Sequence, residues 1–146
     1  MKRLLLIFAI LFSASCGEHE NPIPTMTVYL NLDLTFEDKE LKAFPSFKEY
    51  TTKNINAALG ERIGFGGVLV VHTILDEYVA FDRACPYESN STVTVEVDEN
   101  VLNAVCPRCG TVYDLSMVPG APNGKSKYYL KKYTVIQNGN KLIVKN

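Results

Sequence analysis

The sequence predicts an all-β domain, and three patterns support this prediction. Between residues 26 and 34, apolar and more polar side chains alternate with a period of two, which is typical of a half-buried strand. Residues 68–74 form a run rich in β-branched side chains, and residues 78–81 follow after a short turn, as in a β-hairpin. Near the end of the chain, Asn138-Gly139 separates two further apolar segments and is a strong signal for a second hairpin.

The first fifteen residues have the pattern of a cleavable export signal. Lys2 and Arg3 provide the positive start, residues 4–12 are apolar, and Ser13-Ala14-Ser15 provides the small residues that a signal peptidase requires. The apolar run is too short to span a bilayer as a helix. We therefore predict that residues 1–15 are a signal peptide that is removed from the mature protein.

Cys16 would be the first residue after cleavage, and a cysteine at that position favours attachment of lipid through its thiol. An ordinary secreted protein cut at the same bond is the alternative. The lipid hypothesis predicts that residues 16–25 form a tether and that the lipid on Cys16 binds the membrane. The predicted location is the bacterial cell envelope, on the periplasmic or the surface face of the outer membrane.

Residues 26–146 are long enough for one domain with a single core. The full chain has 15 basic and 16 acidic residues, and removal of Lys2 and Arg3 leaves the mature part mildly acidic. This charge balance argues against nucleic acid as a partner, because nucleic-acid-binding surfaces are basic.

Several shorter segments continue the all-β pattern. Strands are predicted at residues 93–97, 101–105, 111–115 and 128–136. Residues 36–60 are less regular and are predicted to form an insertion. Within it, residues 55–59 suit one helical turn ended by Gly60, and Pro45 argues against a longer helix.

With Cys16 assigned to lipid, the remaining thiols are Cys85, Cys106 and Cys109. An odd number of thiols cannot all form disulfides within the chain. Cys85-Pro86 and Cys106-Pro107 each follow a predicted strand, so the sequence predicts two Cys-Pro loops separated by a hairpin. Loops of this kind suit a tetrahedral metal, because a sharp turn directs side chains toward one point.

Two other interpretations of the thiols remain open. Cys106 and Cys109 could act as a Cys-x-x-Cys redox pair, but such sites use a helix N-terminus to lower the thiol pKa, and residues 111–113 are predicted to be a strand. The same pair could form a passive structural disulfide.

Residues 68–144 resemble a Rieske [2Fe–2S] domain. The segment 80–86, which ends in Cys85-Pro86, resembles the approach to the first cluster loop of that family. Cys106-Pro107-Arg108-Cys109-Gly110, followed by Tyr113-Asp114-Leu115, resembles the second loop. The resemblance implies an antiparallel β-sandwich with its cluster loops at about residues 80–120. It also implies electron transfer with a redox partner protein, without an enzymatic activity of its own.

The chain departs from the family pattern at both histidine positions. In the family two cysteines hold one iron and two histidines hold the other. Here Tyr87 and Cys109 stand where the histidines are expected. The implied ligand set is therefore Cys85, Cys106, Cys109 and Tyr87. The cofactor would be a 2Fe–2S cluster or, alternatively, a mononuclear zinc or iron. A metal-free fold that serves as a structural or interaction module of the envelope is the alternative function.

Overall fold

A computed structural model describes residues 20–146, so the predicted signal peptide and Cys16 lie outside the described residues. Within that range the fold is all-β, as predicted, with two single-turn 3₁₀ segments. No helix among these residues is long and apolar enough to cross a bilayer. The strands are β1 (Val28–Asp33), β2 (Ser46–Tyr50), β3 (Arg62–Ile63), β4 (Val68–His72), β5 (Tyr78–Asp82), β6 (Glu96–Val97), β7 (Asn103–Val105), β8 (Val112–Asp114), β9 (Pro122–Asn123), β10 (Lys132–Asn138) and β11 (Lys141–Lys145).

The strands form two antiparallel sheets. The larger has seven strands in the order β2-β4-β5-β10-β11-β1-β3, and the smaller has four in the order β6-β7-β8-β9. In β1, Val28, Leu30 and Leu32 are buried while Tyr29 and Asn31 are exposed. This alternation is the one that the sequence predicted, because one face of the strand packs inward and the other faces solvent.

Strand β4 differs from β1 because all five of its residues are buried. Val68 and Val70 belong to a cluster formed inside the larger sheet. Leu69 and Val71 belong to a second cluster, which also contains Ala104 and Tyr113 of the smaller sheet. The β-branched run at residues 68–74 is therefore apolar throughout because both faces of β4 are covered.

The irregular insertion predicted at residues 36–60 requires a correction. Its middle forms β2, which pairs with the whole length of β4, from Ser46 opposite His72 to Tyr50 opposite Val68. The pattern missed β2 because its first four residues are only partly buried, as suits an edge strand. The helical turn predicted before Gly60 is present as a 3₁₀ turn at Ala57–Leu59, and Gly60 ends it with a φ of 87°.

The described part of the predicted tether packs against the domain. Ile23 is buried, and the ammonium of Lys131 donates to the Ile23 carbonyl at 2.9 Å. The Asn21 amide donates to the Tyr129 carbonyl at 2.8 Å. The Ser89 hydroxyl donates to the Pro22 carbonyl at 3.0 Å. These contacts hold residues 21–23 against residues 129–131 and against the loop that begins at Cys85.

Candidate metal centre

The two Cys-Pro loops have the same backbone closure. In the first loop, the N–H of Ser89 donates to the Cys85 carbonyl at 2.9 Å, and in the second the N–H of Gly110 donates to the Cys106 carbonyl, also at 2.9 Å. Gly110 has a φ of 75°, a conformation that favours glycine. Each loop is thus a tight turn of five residues with cysteine at its first position.

Each loop is also held by a backbone hydrogen bond from its first cysteine. The N–H of Cys85 donates to the Val93 carbonyl, and the N–H of Cys106 donates to the Thr111 carbonyl, both at 2.9 Å. The first loop follows β5 of the larger sheet and the second follows β7 of the smaller sheet. The packing of the two sheets therefore sets the separation of the two loops.

The three cysteines predicted from the sequence converge. The sulfur atoms of Cys85, Cys106 and Cys109 all lie within 4.8 Å of one another, and those of Cys85 and Cys109 are 3.7 Å apart. All three side chains are buried, and all three thiols are free. Among the described residues, therefore, the structure has neither the Cys106–Cys109 disulfide nor another disulfide between these thiols. We call this cluster the thiol triad.

Two hydroxyl groups contact the triad, and sequence reasoning did not assign either of them to it. The Tyr113 hydroxyl lies 3.4 Å from the Cys85 sulfur, and the Thr111 hydroxyl lies 3.2 Å from the Cys109 sulfur. Both residues are fully buried, as is Leu115. The alternation of Thr111, Tyr113 and Leu115 along β8 and its flanks is the signal that could have placed these side chains on the inner face.

The protein environment acts differently on two of the thiols. Burial raises the pKa of the Cys106 thiol to about 12, and the backbone N–H groups of Cys109 and Arg108 oppose this effect only in part. Burial also acts to raise the pKa of Cys109, but hydrogen bonds with Thr111, Cys106 and Cys85 together outweigh it, so that the pKa of Cys109 is lowered. The triad therefore favours a negative charge at Cys109.

Tyr87, the fourth ligand implied by the resemblance, lies at the protein surface. Its side chain is 52% exposed, whereas the hydroxyl that contacts the Cys85 sulfur belongs to Tyr113. An ion pair joins the two Cys-Pro loops. The Arg108 guanidinium of the second loop lies 3.5 Å from the Glu88 carboxylate of the first loop. The assignment of Tyr87 as a ligand stays a prediction.

His72 is the histidine of the described range, and both of its ring nitrogens have partners outside the two Cys-Pro loops. Its Nδ1 lies 2.8 Å from the Leu41 carbonyl, and its Nε2 lies 2.8 Å from the Asp76 carboxylate. The ring also stacks on Tyr78 with a centroid separation of 4.1 Å. This agrees with its interpretation as a packed strand residue. Within residues 20–146, the ligand set of two cysteines and two histidines cannot be assembled, so it does not fit this site.

The donor set suits a different kind of metal chemistry. Thiolates are soft ligands that select zinc, iron and copper(I), and they bind metal after losing their protons. Above the triad, Pro107 and Arg108 are exposed while Cys109 is 8% exposed. The thiol triad is therefore shielded from water but lies close beneath the protein surface.

Comparisons with known proteins give little further information. No protein-family model and no curated protein matches the chain. A chain of similar structure comes from a solved complex described as that of reduced oxygenase and oxidized ferredoxin in carbazole 1,9a-dioxygenase. The match covers 81% of this chain and 93% of that chain, with 15% sequence identity and a TM-score of 0.49.

Proposed function

We propose that the chain is a lipid-anchored envelope protein that holds a metal through Cys85, Cys106 and Cys109 and carries single electrons between partner redox proteins. The observation that carries this proposal is the convergence of three free, buried sulfur atoms within 4.8 Å. Two of these residues come from one loop and the third from another, and the two loops close in the same way.

The odd number of thiols in the triad supports metal binding. Unbound cysteines in an oxidising compartment tend to pair, and an odd number leaves one of them without a partner. A metal would engage all three thiols at once and would keep them reduced. When bound, a redox-active metal would accept one electron from a reduced partner and pass one electron to an oxidised partner.

The position of the triad supports a role in electron transfer. The loop of Cys106 and Cys109 exposes Pro107, Arg108 and Gly110 to solvent, next in the chain to its two buried cysteines. A partner that contacts this loop would come within one residue layer of the metal. The protein thus offers a short path for the electron while it excludes water from the ligands.

Metal analysis of the full chain tests the proposal. The chain would be purified anaerobically from membranes in detergent, and its metal content and visible absorption spectrum would be measured. We expect bound metal with a thiolate charge-transfer band that bleaches on reduction. Cys85→Ser, Cys106→Ser and Cys109→Ser should each lose most of the metal. Cys16→Ser, purified from whichever cell fraction contains it, is the matched control, because it replaces a cysteine outside the triad and should keep the metal.

A metal-free interaction module is the second candidate, and one observation favours it. The thiols already have partners in each other and in the Thr111 and Tyr113 hydroxyls, so burial leaves them hydrogen-bonded without a metal. The same purification separates the two functions. A colourless protein without bound metal, and unchanged when metal is added, would contradict electron transfer and support the module.

A further inference from the structure

We infer that the thiol triad binds one metal ion with tetrahedral geometry, and not a two-iron cluster. This inference rests on the proposed function and specifies its metal. It concerns Cys85, Cys106 and Cys109 and the two hydroxyl groups that contact them.

The separations of the sulfur atoms fit a single ion. A metal–sulfur bond of about 2.3 Å in tetrahedral geometry places two ligand sulfurs about 3.8 Å apart. The Cys85 and Cys109 sulfurs are already 3.7 Å apart. No pair in the triad exceeds 4.8 Å. The widest pair would thus need to close by at most about 1 Å to share one ion.

The same separations are too small for ligands of two different irons. By its position in the sequence, Cys109 would belong to the iron that histidines hold in the Rieske pattern, and Cys85 would belong to the other iron. Ligands of opposite irons lie on opposite sides of the bridging sulfides, so they are farther apart than two ligands of one iron. The structure instead puts Cys85 and Cys109 in contact, at 3.7 Å.

Two buried hydroxyl groups already lie against the sulfurs of the triad. The Tyr113 hydroxyl contacts the Cys85 sulfur at 3.4 Å, and the Thr111 hydroxyl contacts the Cys109 sulfur at 3.2 Å. Tyr113 and Thr111 are both fully buried and are fixed by β8 and its pairing with β7. Three thiolates supply three ligands of a tetrahedral ion, and the fourth position is left to water or a small anion.

The test counts metal and sulfide on the full chain purified anaerobically from membranes. Iron, zinc and acid-labile sulfide would be measured per chain, and X-ray absorption at the metal edge would report its neighbours. We expect one metal ion per chain, no labile sulfide, about three sulfur neighbours at about 2.3 Å and no metal–metal scattering. The Cys16→Ser protein, purified from whichever fraction contains it, should give the same stoichiometry. Cys109→Ser should lose most of the ion, and any ion that remains should have one fewer sulfur neighbour.

The possible stoichiometries separate the single-ion inference from the electron-carrier function. One iron per chain would support both. One zinc per chain would support the single-ion inference but contradict electron transfer, because zinc has no redox chemistry in proteins. Two irons with two labile sulfides would overturn the single-ion inference and leave the proposed function in place. A chain that binds no metal would overturn both.

Discussion

The hydroxyl of Tyr113 lies 3.4 Å from the sulfur of Cys85, although the two residues are 28 positions apart. Tyr113 lies on β8 of the smaller sheet, and Cys85 follows β5 of the larger sheet. Burial raises the pKa of Tyr113, and the contact with Cys85 raises it further, so the phenol keeps its proton. Tyr113 can therefore donate a hydrogen bond to a Cys85 thiolate.

Removal of this hydroxyl should lower the reduction potential of a bound metal. The hydrogen bond stabilises negative charge on the sulfur, and the reduced site has one more negative charge than the oxidised site. Tyr113→Phe should thus disfavour reduction. A spectroelectrochemical titration would measure the shift, with Tyr29→Phe as a control at an exposed tyrosine. An unchanged potential in Tyr113→Phe would show that the hydroxyl does not act on the metal.

Asp82 should be important for stability and for the position of the Cys85 loop. Its buried carboxylate accepts hydrogen bonds from the N–H groups of Gly66 and Ala84 and from the Tyr133 hydroxyl. In Asp82→Asn, an amide NH₂ would face some of these donors. We expect the free energy of unfolding to fall by about 2–4 kcal/mol, measured by denaturant titration. Glu99→Gln, at an exposed site, should change it little, and an equally small effect of Asp82→Asn would refute the prediction.

The stability of the protein should fall in strongly alkaline solution, in part through Tyr133. Burial and the neighbouring Asp82 carboxylate raise the pKa of Tyr133. An unfolded tyrosine loses its proton near a pH of about 10, so above that pH the folded state binds more protons than the unfolded state. The contribution of Tyr133 is therefore complete below that pH and is lost as the pH rises.

Tyr133→Phe should consequently show a shallower loss of stability above a pH of about 10 than the unmodified protein. Thermal unfolding followed by circular dichroism across alkaline pH would measure the slope. Tyr29→Phe is the matched control, since its side chain is partly exposed. Identical slopes in Tyr133→Phe and the unmodified protein would mean that Tyr133 ionises equally in the folded and unfolded states.

The predicted lipid anchor is at Cys16, which lies outside the described residues. We predict that the mature protein begins at Cys16, carries lipid there and partitions with membranes. Cys16→Ser should leave the chain uncleaved or release it into the soluble fraction. Mass spectrometry of the N-terminal peptide and membrane fractionation would decide. An N-terminus without lipid, or a wild-type protein found entirely in the soluble fraction, would refute the lipid anchor.

The sequence predicts the strands best where one face is buried and the other is exposed. The alternation at residues 26–34 located β1 within two residues, and Asn138-Gly139 located the last hairpin within one residue, since its turn consists of Gly139 and Asn140. Strand β2 was not predicted, because an edge strand with partly buried residues has no clear period of two. Its place is determined by pairing with β4, which is a tertiary interaction.

The candidate site was predictable in its cysteines but not in its surroundings. The two Cys-Pro loops indicated that Cys85, Cys106 and Cys109 would meet, because each loop follows a strand. The contact of Tyr113 with Cys85 could not be predicted, since it depends on how the two sheets pack. Tyr87 was selected from its position in the loop, but a loop side chain has no fixed direction that a sequence pattern could supply.

The contact between Ser89 and Pro22 determines from which end of the domain the N-terminal segment departs. Ser89 closes the loop that begins at Cys85, so Pro22 is held against the loop that contributes Cys85 to the thiol triad. Cys16 precedes Asn21 by five residues, which span at most about 18 Å when fully extended. A lipid on Cys16 would therefore keep the end of the domain that carries the Cys85 loop close to the bilayer. An electron-transfer partner embedded in the same membrane would then find the metal within reach, whereas a freely diffusing partner would have to approach along the membrane surface.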